Sequence, residues 1–421
     1  MTSTDATPSR NIVIIGAGII GCSTAYYLSR HPLFSPSTTV HVIEASVNGP
    51  AQGASGKAGG LIAQWAYPKE LVDVSFAEHV KLAKKHNGKE RWGWRYVETG
   101  SWEGRGLLGE ESGSGVGKGG KRKSLEKTLG LDCAVSQMER KSKGLPDDLL
   151  WVRDSLTDAY SPMAATGETA QVFPYQFTTS MLDLAKEKGV EFVSGKVTTI
   201  KQLDGRVTGV VYVKPRTQEQ VEIHATDIIL CAGAWSPSLI PGLPVTGTRA
   251  HSITIRATPG TTIAPYVLFT EISLHQAGKN VKRVTPEVYA RPNNEVYACG
   301  PGDDSALPET VDGVEVDEAA CESIRKHVSS ISKELSEGTV ERRQACFLPI
   351  VKYNSDPLVG AATKIANGLF IAAGHTCWAS PSLLFFYYLY QRSITRGSAM
   401  LQVLLKLLVS SLWMARSDVE I

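Results

Sequence analysis

The stretch Asn11-Ile-Val-Ile-Ile15-Gly16-Ala-Gly18-Ile-Ile-Gly21 decides how the chain folds. Ile12 to Ile15 is an apolar, β-branched run without polar alternation, which predicts a strand buried on both faces, as in a parallel sheet. Gly16, Gly18 and Gly21 follow at once, and a helical stretch runs on to Leu28. Gly16 permits a tight turn, Gly18 lets a pyrophosphate approach the backbone, and Gly21 lets the helix lie close to the strand. The start of that helix, Ala17 to Gly21 with Ile19 and Ile20, offers N–H groups and partial positive charge to phosphate. A second apolar strand, Thr39 to Ile43, ends in Glu44-Ala45, with the carboxylate 23 residues past Gly21, where a ribose 2′-hydroxyl needs an acceptor. A lone GxGxxG would carry little. Strand, glycines, helix, strand and terminal acid in one βαβ unit predict dinucleotide binding.

After Glu44 comes Gly53-Ala-Ser55-Gly56-Lys57-Ala58-Gly59-Gly60, then Leu61. Residues this small cannot make a core helix. They form either a flexible loop or a backbone cradle pressed against a flat ring, with Ser55 and nearby N–H groups facing phosphate. A plain NAD site does not need such a loop directly after the ribose acid, whereas a flavin extended across the domain does.

The 421 residues suffice for two domains. With 44 basic and 42 acidic residues, no electrostatically driven nucleic-acid or membrane partner is expected. The seven cysteines lack CxxC spacing, so neither a zinc knuckle nor a dithiol redox motif is written, and no metal is expected. The polar first ten residues and scattered cysteines fit a cytoplasmic setting.

Residues 69–95 have apolar spacing for a helix with one buried face, and Trp92, Trp94 and Tyr96 follow as core aromatics or a substrate wall. Residues 103–127, rich in Gly, Ser and Lys, read as a disordered surface insertion. Its near-match to a P-loop fails, because Arg122 stands where Ser or Thr should bind the metal. A helix over Phe177 to Lys188 leads to short strands at 190–193 and 196–200 and a meander over 207–213 and 221–224. Residues 226–233 and 369–374 are buried strands ending in small-residue turns, and both are expected beside the first strand. Residues 245–345 alternate and end in one helix over about 315–335, which predicts an antiparallel sheet with a covering helix.

These pieces together resemble the D-amino-acid oxidase (DAO) superfamily of FAD-dependent oxidoreductases, which includes glycine, sarcosine and fructosyl-amino-acid oxidases, and especially its uncharacterised fungal members. The resemblance rests on GAGIIG with Glu44, on SGKAGG, on Lys196-Val197-Thr198, on the TDIILCAGAW stretch and on DPLVG with NGLFIAAGH, from Asn11 to Trp378. It implies an α/β chain with a Rossmann-like FAD-binding domain of glutathione-reductase type, and a second, α+β substrate domain built on an antiparallel sheet. The FAD domain would be discontinuous, from 1–80, 170–240 and 346–421, and the substrate domain would take 81–169 and 241–345. Gly16, Gly18 and Gly21 would hold the pyrophosphate, Glu44 the ribose, and Ser55 to Leu61 the phosphate and isoalloxazine. Val197 would contact adenine through its backbone. Ala232, Gly233 and Trp235 would close the cleft, and Gly374, His375 and Thr376 would sit by the flavin's pyrimidine edge. Cys346 lies where one branch carries its flavin through sulfur; the other reading is a small buried hydrophobe.

Two departures bear on function. Leu348 stands where the glycine oxidase branch has an arginine that clamps the substrate carboxylate, with Arg249 or Arg291 as substitute cations. From Ala379 onward the chain leaves the family pattern for two apolar runs, neither with about 18 uninterrupted apolar residues, so no confident membrane span is read. The implied activity is oxidation of a C–N bond in an amine or amino-acid-like small molecule by hydride transfer to flavin, with molecular oxygen as an acceptor. Catalytic candidates are His375, Arg291 and Arg249. The alternative is a flavin-binding or interaction protein that has lost catalysis.

Overall fold

The computed structural model describes residues 9–66, 69–107, 140–275, 281–352 and 357–376. Of the insertion expected over 103–127, residues 103–106 are instead ordered as the end of the strand Glu98–Gly106, paired on both sides, while 108–127 and the tail from 379 lie outside the described residues.

The quoted stretch folds as β1 (Arg10–Ile15) and α1 (Ile19–Leu28), followed by β2 (Thr38–Glu44). β1 lies inside a six-stranded sheet whose order runs Leu358–Ala361, Leu369–Ala373, Asp227–Leu230, β1, β2, Glu191–Ser194. Every pairing is parallel except the outermost one, between Leu358–Ala361 and Leu369–Ala373. Ile12 sits opposite Asp227 and Ile228 opposite Leu369, which joins the first strand to the two later buried ones.

The absence of alternation in β1 has a direct structural cause. Ile12 and Ile14 enter a core with α1, the helix Pro174–Lys186 and residues such as Phe76, Leu82 and Trp92. Val13 and Ile15 point the other way, into a core with Val197, Val210 and Tyr212 of an antiparallel three-stranded meander. Successive strand residues face opposite sides, so a strand covered on both sides must be apolar throughout.

The second large sheet has eight strands. Its order runs Thr339–Val351, Val245–Arg256, Glu295–Asp303, Glu287–Ala290, Tyr266–Leu274, Glu98–Gly106, Thr157–Pro162, with Lys282–Val284 added on Tyr266–Leu274. It is antiparallel apart from one parallel pair, Tyr266–Leu274 with Glu98–Gly106, so the sheet is mixed rather than purely antiparallel. The helices Glu318–Ser329 and Lys333–Glu337 cover one face through Cys321, Ile324, Val328 and Leu335. The single helix expected over 315–335 is therefore two. Asp317 caps the first through bonds from the Ala319 and Ala320 N–H groups, and the Ser332 hydroxyl accepts the Leu335 N–H at the start of the second.

Segment boundaries follow packing more than sequence order. Leu82, Ala83 and Trp92 belong to the core around α1, beyond the expected edge at 80. The strand Thr339–Val351 stays in the eight-stranded sheet along its whole length, so the expected edge at 346 falls inside it. Short strands Leu61–Ala63, Thr169–Gln171 and Arg95–Tyr96 form a small sheet of their own.

Candidate functional site

The site begins at the turn after β1. Gly16 has φ +105°, and a Cβ there would stand 2.5 Å from the Cys231 carbonyl oxygen. A Cβ on Gly21 would stand 1.9 Å from the Gly16 oxygen. Both positions therefore need glycine for close approach. Ala232 and Gly233 (φ +54°) follow Cys231, so the second expected turn lies directly against the first.

Glu44 ends β2 beside this turn. Its carboxylate accepts the Ala17 N–H at 2.8 Å and the Ser46 N–H at 2.9 Å. Burial raises its pKa, and those N–H groups work against the rise. The Gly195 N–H donates to the Glu44 carbonyl at 2.8 Å, which brings the start of the strand holding Val197 alongside. The Ser55 hydroxyl accepts the Ile19 N–H at 2.9 Å and so ties the small-residue loop to the start of α1.

That loop is a cradle with fixed walls. Residues Ala54–Lys57 make one helical turn. Arg291 donates to the Ala58 oxygen at 2.6 Å and the Gly59 oxygen at 3.4 Å, and pairs with Glu295 at 3.0 Å. The Lys57 ammonium donates to the Ala345 oxygen at 2.9 Å, and burial lowers its pKa. Gln344 donates to the Lys57 oxygen at 3.3 Å. The Tyr289 ring covers Gly59, where a Cβ would come within 2.7 Å of it. The loop is thus pressed onto the face of the eight-stranded sheet that its helices leave free.

That face carries residues brought into rows by register. One row reads Phe269, Glu287, Cys299, Ser252, Gln344. Leu61 packs against its neighbours Val267, Tyr289 and Tyr297. Strand alternation places Cys346 and Leu348 on the same face as Gln344. Cys346 is buried, and burial pushes its thiol up to about 11 and so opposes the thiolate, while the Lys57 charge pulls the other way. His375 is 3 % exposed, its Nε2 is buried without a partner, and burial holds its pKa down at about 4, so the ring is neutral. The Thr376 N–H donates to the Pro349 oxygen at 2.9 Å, and Gly374 takes φ +78°; together these seat residues 374–376 against the strand that holds Leu348.

The two substitute cations are both engaged. Arg291 serves Glu295 and the cradle. Arg249 bonds Asp303 through Nε at 3.1 Å and the Glu315 oxygen at 3.2 Å. Trp235 donates to the Pro308 oxygen at 2.8 Å. Pro308 belongs to a strap, residues 304–316, that sequence reading missed. In it Glu309 pairs with Lys196, and Asp312 accepts the Val47 N–H at 2.9 Å and the Asn48 amide at 3.1 Å. No local pattern announces these contacts, because their partners lie far away in sequence.

Residues 11–380 match the model of the family described as DAO, FAD dependent oxidoreductase. The Saccharomyces cerevisiae protein TDA3, named as a putative oxidoreductase, is 32 % identical, with 88 % of this chain and 88 % of that protein covered. Among solved structures, an iminodiacetate oxidase from Chelativorans sp. BNC1 superposes with a TM-score of 0.64 at 18 % identity, covering 92 % of this chain and 96 % of its own. A glycine oxidase from Geobacillus kaustophilus gives 0.63 at 16 %, covering 93 % and 96 %.

Proposed function

The chain belongs to the DAO family of FAD-dependent oxidoreductases, and from that premise we propose that it oxidises a carbon–nitrogen bond of a small amine or amino-acid-like molecule. The first turn fits FAD: Gly16 and Gly21 leave no room for side chains, Ser55 and Glu44 order the N–H groups around α1, and His375 Nε2 is buried with no protein partner. In this reading Gly16 to Gly21 hold the pyrophosphate, Glu44 the ribose, Val197 the adenine, and Ser55 to Leu61 with Ala232, Gly233, Trp235 and residues 374–376 the remainder. A flavin held there would supply the hydride acceptor for the substrate carbon, with an acceptor such as oxygen to take the electrons on.

The chain's own groups position rather than react. The observation that carries the reading is the contact of the Ala54–Gly60 cradle with the free face of the eight-stranded sheet, through Arg291, Gln344 and Tyr289. A substrate lying on that face would be held against whatever the cradle carries, with water excluded by Tyr289, Tyr297 and Phe269. The related folds named for iminodiacetate and glycine, both C–N substrates, support the choice of bond. Five free cysteines among the described residues support a cytosolic setting. No helix among the described residues is long and apolar enough to cross a membrane.

The test is the spectrum of the purified protein. An oxidised flavin band is expected, bleached without air by secondary amines. Bleaching by 2-hydroxy acids but by no amine would overturn the C–N assignment. The flavin is expected to leave the chain on acid precipitation, because Cys346 is held as a thiol.

A further inference from the structure

We propose that Glu287 is the specificity residue of this site and that it selects a cation: a protonated amine, recognised by its positive charge rather than by a carboxylate. The proposal rests on the amine-oxidising reading above and names the substrate class within it.

Glu287 lies in the middle of the row that faces the cradle, between Phe269 and Cys299. The row is anchored to the cradle through Gln344 and the Lys57 oxygen, and Tyr289, two residues along the same strand face, covers Gly59. At the other end Phe269 meets the Trp65 ring edge-on at 6.2 Å. Glu287 is therefore held within the wall that a substrate over the cradle would touch.

Its carboxylate is half-buried and lacks a counter-charge. Its hydrogen bonds come from the Tyr289 hydroxyl and, at 3.7 Å, the Cys299 thiol. Both donors keep their protons, since burial first and the Glu287 charge second push their pKa values well above the usual range. No lysine, arginine or histidine among the described residues pairs with it. The nearby cations are engaged elsewhere: Arg291 with Glu295 and the Ala58 oxygen, Lys57 with the Ala345 oxygen. Two neutral donors soften the cost of withdrawing a carboxylate from water but do not neutralise it. An ammonium group would, and the Phe269 ring, opposite Glu287 in the row, favours the same sign of charge.

The opposite signal is missing from the wall. Leu348 stands on the site-facing side of its strand, and Arg249 is held by Asp303 and the Glu315 oxygen. Among the described residues the wall thus carries a bare anion and no uncommitted guanidinium. That polarity is the reverse of what a carboxylate-clamping site needs.

The experiment uses the flavin-loaded protein and two unreactive probes, tetramethylammonium and acetate, each read by its perturbation of the bound flavin's absorption. Tetramethylammonium is expected to bind and acetate not. Glu287→Gln should weaken tetramethylammonium at least about 10-fold, the scale of a lost charged contact, with flavin content and melting temperature unchanged. Glu287→Asp should restore part of the loss. Acetate binding in preference to tetramethylammonium, or equal tetramethylammonium affinity in wild type and Glu287→Gln, would overturn the proposal. Bleaching by amines separates the two readings. Glu287-dependent cation binding without amine oxidation sinks the reaction and leaves the cation site standing. Amine oxidation whose KM ignores Glu287→Gln sinks the cation site alone.

Discussion

The two large sheets solve the same problem by different means. In the six-stranded sheet the groups that meet at the first turn are mostly backbone: glycines at 16 and 21, N–H groups of residues 17 and 19, and the turn at 231–233. Side chains there, such as Glu44 and Ser55, mainly order that backbone. On the free face of the eight-stranded sheet the contacts are made by side chains set in rows: Arg291, Tyr289, Glu287, Cys299, Gln344. The difference teaches where each half tolerates change. A backbone site fails when a side chain intrudes. A side-chain wall keeps its fold when re-lettered and alters what it accepts.

The largest expected effect is on the backbone side. Gly21→Val places a branched side chain where even a Cβ would lie 1.9 Å from the Gly16 oxygen. A loss of about 4 kcal/mol or more of stability is expected, with no retained flavin, read from urea denaturation and the flavin-to-protein absorbance ratio. A variant that keeps its flavin would break the contrast between the two sheets.

Next comes the residue that joins them. Arg291→Met keeps bulk but takes from Glu295 its 3.0 Å partner, leaving only Arg256 at 3.5 Å, and strips the Ala58 oxygen of its donor in a buried setting. A loss of about 3 kcal/mol is expected. Faster proteolysis at residues 54–60 should accompany it, and its absence would mean that the cradle stands without the wall.

The smallest is a pH effect at the meeting point. His375 has its pKa lowered to about 4 by burial, against an ordinary 6.5. The folded state therefore binds its proton less readily than the unfolded state. The contribution to stability is full above pH 6.5 and is lost as pH falls toward 4. Between pH 7 and pH 5 this group should cost about 2 kcal/mol, measured by denaturant titration at both values. His375→Gln should flatten that slope by a similar amount; an unchanged slope would place the acid sensitivity elsewhere, with His86, also lowered to about 4, as the next group to replace.

Legibility in the sequence follows the same division. The order of β1, glycines, α1, β2 and Glu44 was readable because each acts on neighbours within one βαβ unit. The buried strands at 227–230 and 369–373 were readable because unbroken apolar runs fit only a doubly covered sheet. The fate of Arg249 and Arg291 was not readable. Each looked like a spare cation, and Asp303, Glu295 and the Ala58 oxygen claim them. Asp312 gave no sign either, since its partners at 46–48 lie more than 260 residues away. Alternation could have put Glu287 with Tyr289 and Tyr297 with Cys299 on shared faces, but not the two strands side by side.

The sequence by itself determined the βαβ unit of the six-stranded sheet, because glycine spacing and apolar runs act through local backbone geometry. Only the tertiary structure decided which side chains share the free face of the eight-stranded sheet. Packing set the rest: the row Phe269, Glu287, Cys299, Ser252, Gln344 draws on strands from 245 to 351, and Arg291 reaches the Ala58 oxygen 233 residues away, contacts that no local window of the chain contains.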